Sequence, residues 1–482
     1  MISREELLDL AADFGLAANV IEKDYALGWM LAALGYHNET RDAWLFKGGT
    51  CLKKCFFETY RFSEDLDFTL LDAAHLDDGF LATLFVEIAA WIYEATGLTL
   101  PADARKVEVF TNSRGGRSAE GRIGYRGPLA RGGDAPRIKL DLTADEKIVR
   151  GATRRAVHHP YSDRPNGGFE VTTYAFEELF AEKLRALSER LRPRDLYDVI
   201  HLYRHRELDP DRSIVIATLH EKCEFKRIPV PSLESIRASP LVAELRSAWE
   251  QMLSHQLPQL PPFEDFWSEL PQVFGWLFGG EAPIELPVLE VASAGALDRT
   301  WRAPLMAASW RSFGTSAPLE VVRFAAANHL CVELNYRDER GRQSTRTIEP
   351  YSLRRSSVGN LLLFAVKADT GESRSYRVDR IIAAQASQRS FVPRFAVELT
   401  SGGPDVIRPL ERPITVLGNR TLRSSARRQP RRRSGGPTYV FRCPVCKRTF
   451  RRSSYDATLN PHKGKNGWPC LGTFGTYVRT DY

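Results

Sequence analysis

Short apolar runs alternate with turn residues from the start of the chain to about residue 270, and this pattern predicts strands and helices in mixed order. Residues 43–47 (AWLFK) predict a short strand, and residues 48–50 (GGT) predict a tight turn that opens a helix through about Phe57. Residues 66–70 predict the next strand, and residues 137–143 (RIKLDLT) predict a third. The pattern therefore favours an α+β domain.

Carboxylates occupy the polar faces of two of these strands. Side chains in a strand alternate between its faces, so Asp65 and Asp67 lie together, opposite the apolar side chains of their strand. Asp141 has the same position in RIKLDLT. Like charges this close repel each other, and a partner must neutralise them. Mg²⁺, which takes oxygen ligands together with substrate phosphates, is the first candidate.

The Gly-Gly-Thr turn adds a second element to this site. Alone, such a turn usually has no role beyond reversing the chain. Placed at a helix N-terminus, it presents free backbone N–H groups that suit a phosphate. Beside three carboxylates, it predicts a site for Mg²⁺ and a phosphorylated substrate.

Residues 174–205 predict two helices, with Pro193 in the first turn of the second. Lys183 falls inside the apolar stripe of the first helix, where it either extends its ammonium to solvent or meets an anion. On the second helix, Asp195 and Asp198 are three residues apart and lie on one side. They either serve the polar site or cap the helix and pair with basic neighbours such as Lys183.

Five runs occur in order: FKGGTCLKK, RFSEDLDF, IKLDLT, EELFAEKLRAL and RPRDLYDVIHL. Together they resemble the AbiEii/AbiGii abortive-infection toxins, a family of bacterial nucleotidyltransferases in the DNA polymerase β-like superfamily. The resemblance covers roughly residues 10–270 and includes VIEKDYALGWML near the start. It implies an α+β multidomain protein with a polymerase β-like nucleotidyltransferase domain over residues 1–275, whose C-terminal part is helical.

The resemblance implies a site for a nucleoside triphosphate (NTP) and two Mg²⁺ ions. The expected metal ligands are Asp65, Asp67 and Asp141. The expected nucleotide contacts are Gly48, Gly49, Thr50, Ser63, Lys139, Lys183 and Arg194. The expected catalytic residues are Asp65, Asp67, Asp141, Lys183, Asp195 and Asp198, with Asp141 the candidate to accept the proton of the attacking hydroxyl. Thr50 stands where the family more often has serine, and it keeps the hydroxyl.

Members of the family resemble toxins that stop growth by adding nucleotides to RNA, particularly to tRNA 3′ ends. The resemblance therefore implies RNA as acceptor, an antitoxin protein as partner and a role as a toxin or phage-defence effector. The alternative is a catalytically silent regulator that binds nucleic acid through its C-terminal domains. The two hypotheses differ in Mg²⁺-dependent NTP binding, which the regulator lacks.

Residues 300–412 contain short alternating strands, which are typical of a small β-barrel. NYRDERG, TRTIEPYSL, LLLFAV and RSYRVDRI resemble a WYL domain, an SH3-like β-barrel of bacterial regulators. Arg374, Arg377 and Arg380 predict a basic row that binds nucleic acid or a nucleotide; the alternative is a solvated basic edge. Residues 361–363 are Leu-Leu-Leu where the domain has its naming Trp-Tyr-Leu, so the aromatic side chains that stack on bases are absent there.

The net charge of +7 is unevenly distributed. Residues 416–482 carry fifteen Arg or Lys and two acids, so the remainder of the chain is net negative. Residues 413–437, rich in Arg, Ser, Gly and Pro, predict a basic flexible linker. Such charge suits contact with a polyanion, and the alternative is a solvated linker without a partner.

The end of the chain, residues 438–482, resembles a zinc ribbon. Cys443, Cys446, His462 and Cys470 supply four ligands for a tetrahedral, structural Zn²⁺. Aromatic residues among the basic ones suit nucleic-acid stacking, although the module also needs some of them as core: these are Tyr439, Phe441, Phe450 and Tyr455.

The other cysteines, Cys51, Cys55, Cys223 and Cys331, are isolated and are expected to be small buried hydrophobic residues. Seven cysteines in 482 residues are too few for a disulfide scaffold, which favours a reducing compartment. The sequence also has no run of eighteen uncharged apolar residues and no signal-peptide core at its start. We therefore expect a cytoplasmic protein without a membrane partner.

Overall fold

The computed structural model describes residues 1–57, 60–112, 114–130, 132–205, 210–280, 285–298, 316–399, 438–452, 457–464 and 469–481. The α-helices up to residue 280 are α1 (Arg4–Phe14), α2 (Ala18–Tyr36), α3 (Gly48–Cys55), α4 (Asp78–Thr96), α5 (Phe176–Arg190), α6 (Pro193–Arg204), α7 (Arg212–Lys226), α8 (Leu233–Arg237), α9 (Val242–Ser247), α10 (Trp249–Leu253) and α11 (Phe263–Phe274). The strands of this part are β1 (Trp44–Lys47), β2 (Asp65–Leu70), β3 (Arg105–Thr111), β4 (Arg117–Gly124), β5 (Arg137–Thr143), β6 (Thr153–Ala156) and β7 (Glu170–Thr173).

These strands form one mixed sheet in the order β3-β4-β5-β2-β1-β7-β6. β2 lies at its centre, antiparallel to β1 and parallel to β5. The predicted strands and the helix after the turn are confirmed, each to within two residues at its ends. The central position of β2 puts its polar face beside those of β1 and β5.

The alternation predicted for β2 and β5 is also confirmed. Leu66 and Phe68 in β2 are buried, as are Ile138, Leu140 and Leu142 in β5. Removing these apolar side chains from water stabilises the sheet by roughly 1.5–3 kcal/mol each. The register of the sheet is therefore fixed, and the carboxylates must project from its other face.

Helices α5 and α6 are split where the sequence predicts, with Pro193 at the first helical position of α6. Proline is well tolerated there because that N–H has no partner within the helix. Lys183 lies among the buried residues of α5, and Asp195 and Asp198 lie among those of α6. The two helices thus carry charged side chains into the interior.

After residue 315 the chain continues with helix α12 (Ser316–Ala327) and the strands β8 (Leu330–Arg337), β9 (Gln343–Arg355), β10 (Leu361–Lys367), β11 (Ser373–Arg377) and β12 (Ile381–Ser390). These strands form an antiparallel sheet in the order β11-β10-β9-β8-β12. Val332, Leu334 and Tyr336 are buried on β8, as their alternation predicts. This part contacts the first, since the Tyr197 hydroxyl donates to Asn328 Oδ1 at 2.9 Å.

The last described strands are β13 (Thr438–Arg442), β14 (Thr449–Arg452), β15 (His462–Lys463), β16 (Pro469–Cys470) and β17 (Thr476–Asp481). β14, β13 and β17 form a three-stranded antiparallel sheet, and β15 pairs with β16. The predicted linker 413–437 lies outside the described residues, as do Tyr455 and both ends of the predicted barrel domain.

Within the described part, α4 is the one helix long and apolar enough to cross a membrane by length and composition. It packs against α2 and β3, and seven of its nineteen residues are buried. A core helix of a soluble protein has the same properties.

Candidate active site

The turn between β1 and α3 is shaped to admit a carboxylate. Gly48 has a φ of +80°, and a Cβ atom there would lie 2.1 Å from Asp67 Oδ2. Only glycine combines this backbone conformation with so close an approach. The turn therefore holds the Asp67 side chain against the first backbone groups of α3.

Close contacts hold the next two residues of the turn, Gly49 and Thr50, in place. A Cβ at Gly49 would lie 2.6 Å from Arg61 Nη2 and 3.1 Å from Ser63 Oγ. The Thr50 hydroxyl donates to the backbone carbonyl of Asp65, and its side chain is buried. Thr50, expected to contact the nucleotide, thus uses its hydroxyl to tie α3 to the start of β2.

The three predicted metal ligands meet on one face of the sheet. Asp67 on β2 is the register partner of Asp141 on β5, and neighbouring strands lie about 4.8 Å apart. Burial and the charge of Asp141 raise the pKa of Asp67 to about 6. Burial, together with Asp141, also raises the pKa of Asp65. The ionised carboxylates are therefore crowded and poorly solvated.

This donor set fits a divalent cation. Within the part of the chain described here, no Lys, Arg or His nitrogen lies within 4.0 Å of the Asp65 or Asp67 carboxylate. Hard oxygen ligands of this kind are those that Mg²⁺ prefers. A cation held by Asp65, Asp67 and Asp141 would relieve the repulsion between them.

Three basic side chains surround the acids. Lys139 Nζ lies 3.0 Å from Asp141 Oδ2, and Lys183 Nζ lies 2.6 Å from Asp198 Oδ2. Arg194 differs from both, because its Nε is buried and has no hydrogen-bond partner among the described residues. Burial and the nearby Arg61 lower the pKa of Arg194, so an anion beside it would be stabilising.

A buried ion network underlies the turn. Arg61 Nε and Nη2 donate to the two carboxylate oxygens of Asp198 at 2.8 and 2.9 Å, and Arg61 Nη1 donates to Gln256 Oε1 at 3.0 Å. Burial opposes ionisation of Asp198, but Arg61 and Lys183 together hold its pKa below the usual range. Asp198 thereby holds the Arg61 side chain against Gly49 and the Lys183 side chain beside the carboxylates of the site.

Asp195 and Asp198 were expected to act in catalysis, and the structure places both side chains fully inside the protein. Asp195 accepts from Arg190 Nε and Nη2, each at 2.7 Å, instead of lining the open face. Neither carboxylate reaches solvent in this structure. The alternative for these two residues was pairing with Arg194 or Lys183; Asp198 does pair with Lys183, whereas Asp195 pairs with Arg190.

Replacing Asp198 by asparagine should lower the free energy of unfolding by about 3–5 kcal/mol, because Arg61 and Lys183 would remain buried without a counter-charge. Urea unfolding measures this loss. The matched control is Asp379→Asn, which breaks the exposed 2.7 Å ion pair with Arg377 and should cost less than about 1 kcal/mol. Similar small losses in the two variants would contradict the role given to Asp198.

Sequence reasoning missed several charged residues near the site. Lys23 on α2 forms a 2.8 Å ion pair with Glu64, directly before Asp65. Lys47, at the end of β1, pairs with Glu182 of α5 at 3.0 Å. The signal for Lys23 was its place in VIEKDYALGWML. Lys47 directly precedes the turn, but its partner is 135 residues away.

The predicted basic row of the WYL-like part is largely neutralised. Arg377 pairs with Asp379 at 2.7 Å, Arg380 pairs with Glu339 at 3.1 Å, and Arg374 pairs with Glu372. Each guanidinium therefore already has a carboxylate partner. Binding of nucleic acid or a nucleotide by this row stays a prediction, and a ligand there would compete with these carboxylates.

The four predicted zinc ligands converge. One ligand atom from each of Cys443, Cys446, His462 and Cys470 lies within 4.8 Å of the others. His462 Nδ1 donates to the Asn460 carbonyl at 2.9 Å, and its buried Nε2 has no partner in the described residues. This hydrogen bond leaves the Nε2 lone pair for a metal. The cluster is therefore compatible with a zinc site.

Two family models match the chain. Residues 29–269 match the family model described as nucleotidyl transferase AbiEii toxin, type IV toxin–antitoxin system, and residues 318–386 match the WYL domain. No curated protein is significantly similar to the chain.

Solved structures are also similar in part, and three of them serve as examples. MenT4, a nucleotidyltransferase toxin from Mycobacterium tuberculosis H37Rv, is 18% identical, with a TM-score of 0.39 over 58% of this chain and 89% of that one. JHP933 from Helicobacter pylori is 15% identical, with a TM-score of 0.32 over 55% and 96%. The proteasome accessory factor PafBC of Arthrobacter aurescens is 12% identical, with a TM-score of 0.15 over 83% and 74%.

Proposed function

The chain belongs to the AbiEii family of nucleotidyltransferase toxins, and we propose that it transfers a nucleotide from an NTP to a hydroxyl group of RNA, with the tRNA 3′ end as the acceptor. One observation carries the proposal. The carboxylates of Asp65, Asp67 and Asp141 share one face of the sheet beside the Gly48 turn, with no ion pair to Asp65 or Asp67 in the described residues.

In this proposal Asp65, Asp67 and Asp141 hold two Mg²⁺ ions. Bound there, Mg²⁺ would polarise the phosphate oxygens and favour ionisation of the attacking hydroxyl. The backbone N–H groups that open α3 bind the triphosphate, and Arg194 adds a cation without a carboxylate partner among the residues described. Lys183 is kept beside the site by Asp198.

The transfer itself exchanges one phosphorus–oxygen bond for another. The acceptor oxygen bonds to the α-phosphorus, the bond to the oxygen that bridges the α- and β-phosphates breaks, and pyrophosphate leaves with that electron pair. Asp141 takes the proton of the acceptor hydroxyl. Lys139, 3.0 Å away, holds the Asp141 carboxylate in place.

Labelled nucleotides test the proposal directly. The wild-type protein is incubated with Mg²⁺, total bacterial RNA and each of the four NTPs labelled on the α-phosphate. We expect one nucleotide to label a discrete RNA band of tRNA size. No labelling with any nucleotide, together with retained RNA or DNA binding, would instead favour the nucleic-acid-binding regulator.

We further propose that Zn²⁺ is bound by Cys443, Cys446, His462 and Cys470 and stabilises the C-terminal module. Purified wild-type protein should then contain about one equivalent of zinc by atomic emission. Cys446→Ser should lose that zinc, because a hydroxyl is a poor substitute for a thiolate ligand. The control Cys223→Ser, at a buried cysteine away from the cluster, should keep it. Full zinc in both variants would overturn the ligand set.

The family's toxin–antitoxin context also carries over to the proposal. We infer that the protein acts as a toxin or phage-defence effector in the cytoplasm, with an antitoxin protein as its partner.

A further inference from the structure

The cysteine cluster brings two exposed loops together. Val445 lies in the first loop and Leu471 in the second, and the Sγ atoms of Cys443 and Cys470 that anchor these loops are 3.6 Å apart. A Cβ at Gly472 would lie 3.5 Å from Val445 Cγ2, so the loops are in contact. The two loops therefore lie together at this end of the module.

This surface, named here the knuckle surface, consists of Val445, Lys447, Arg448, Leu471 and Phe474. All five side chains are exposed, and Phe474 is 65% exposed. Phe474 follows Leu471 by three residues in the second loop, and its exposed ring is available to stack on a planar partner.

The two basic residues of the knuckle surface keep their charge uncompensated. Lys447 donates to the Pro444 carbonyl and Arg448 donates to the Lys463 carbonyl, and neither has an ion pair with a described carboxylate. This differs from Arg377 in the WYL-like sheet, whose partner is Asp379. Carbonyl hydrogen bonds orient these cations and leave them able to bind an anion.

The whole module is positively charged. Its described residues contain one acid, Asp481, and seven basic residues: Arg442, Lys447, Arg448, Arg451, Arg452, Lys463 and Arg479. Arg451 and Arg479 are the register partners of Val440 from its two neighbouring strands, so a basic row also crosses the sheet. Charge of this sign and density is complementary to a phosphate backbone.

We propose that the knuckle surface binds single-stranded nucleic acid, with a base stacked on Phe474 and phosphates on Lys447 and Arg448. A single strand fits because its bases are free to stack on an exposed ring, whereas those of a duplex are stacked on each other. The bound strand is the acceptor RNA of the transferase. This last part rests on the proposed function, while the binding surface stands independently of it.

Fluorescence anisotropy of a labelled 15-nucleotide single-stranded RNA with the full-length protein tests this inference. Phe474→Ala should weaken binding about tenfold or more, because loss of one stacked base costs about 1–3 kcal/mol. Lys447→Gln should weaken binding and lower the salt dependence by about one phosphate contact. Zinc content should stay unchanged in both variants.

Two matched controls accompany these variants. Phe110→Ala removes an exposed aromatic side chain from β3, and Arg377→Gln removes an arginine already paired with Asp379. Both should bind the strand like the wild type. Equal affinity of Phe474→Ala and wild type, equal affinity for duplex and single strand, or displacement of the RNA by polyglutamate at the same charge concentration would each overturn the inference.

Asp67→Asn separates this inference from the proposed function. It should bind the RNA like the wild type, because the knuckle surface does not include it. If the wild type transfers no label but Phe474→Ala still weakens binding, the transferase proposal fails and the binding surface stands. If the wild type transfers label but Phe474→Ala binds the RNA normally, the transferase proposal stands and the binding surface is refuted.

Discussion

Asp67→Asn is expected to lower the rate of nucleotide transfer by at least about a thousandfold without lowering the free energy of unfolding. Loss of a metal ligand removes several kcal/mol of transition-state stabilisation, which corresponds to that factor. Stability should be unchanged or higher, because burial and Asp141 make the ionised Asp67 unfavourable in the metal-free protein and raise its pKa to about 6. The amide keeps the shape and removes the charge.

The measurement pairs a transfer assay with urea unfolding in metal-free buffer at pH 7. Asp103→Asn, the same chemical change at an exposed position, is the control and should alter neither quantity. Two results would contradict the role of Asp67: a variant that transfers at the wild-type rate, or one that loses activity only because it is strongly destabilised.

Gly48→Ala should abolish transfer, whereas Gly97→Ala should leave it intact. Both glycines have a positive φ, +80° and +79°, so each alanine costs about 1–2 kcal/mol in the left-handed conformation. They differ in their surroundings. A Cβ at Gly48 would lie 2.1 Å from Asp67 Oδ2, while a Cβ at Gly97 would meet nothing within 4 Å.

The comparison isolates the contact between the turn and the carboxylate. Since the backbone cost is common to both variants, the difference in activity reports displacement of Asp67. Unfolding experiments should show a larger loss for Gly48→Ala, and binding of an NTP with Mg²⁺ should be lost in that variant alone. Equal activity of the two variants would show that the close approach at Gly48 is irrelevant to the reaction.

Much of this site could be predicted from the sequence because it depends on local periodicity. The alternation in β2 assigns Asp65 and Asp67 to one face, and that in β5 does the same for Asp141. Burial of the apolar face fixes the register, so local pattern alone determines which side chains meet. Gly48 directly after β1 and Pro136 directly before β5 also mark strand ends in the sequence.

The ion network beneath the turn could not be predicted in the same way. Arg61 and Asp198 are 137 residues apart, and Arg61 and Gln256 are 195 apart. No local pattern reports such pairs. An arginine flanked directly by two aromatic residues, Tyr60 and Phe62, was the available signal that a buried counter-charge must exist.

The ion pairs of the arginines in the WYL-like sheet were easier to predict from the sequence. Arg377 and Asp379 are two residues apart, as are Arg374 and Glu372, which predicts short-range pairing. The three arginines of this sheet therefore each have a carboxylate partner. On the knuckle surface the basic side chains are not paired in this way. Acids are scarce in the neighbouring sequence, and Lys447 and Arg448 have no carboxylate partner among the residues described.

The most direct test of the central claim, nucleotidyl transfer by this site, compares one NTP labelled on the α-phosphate with the same NTP labelled on the γ-phosphate. Wild-type protein, Mg²⁺ and RNA are identical in the two reactions. We expect α-label to enter the RNA and γ-label to appear in released pyrophosphate. Entry of γ-label into RNA, or failure of α-label from all four NTPs to enter it, would contradict nucleotidyl transfer by this site.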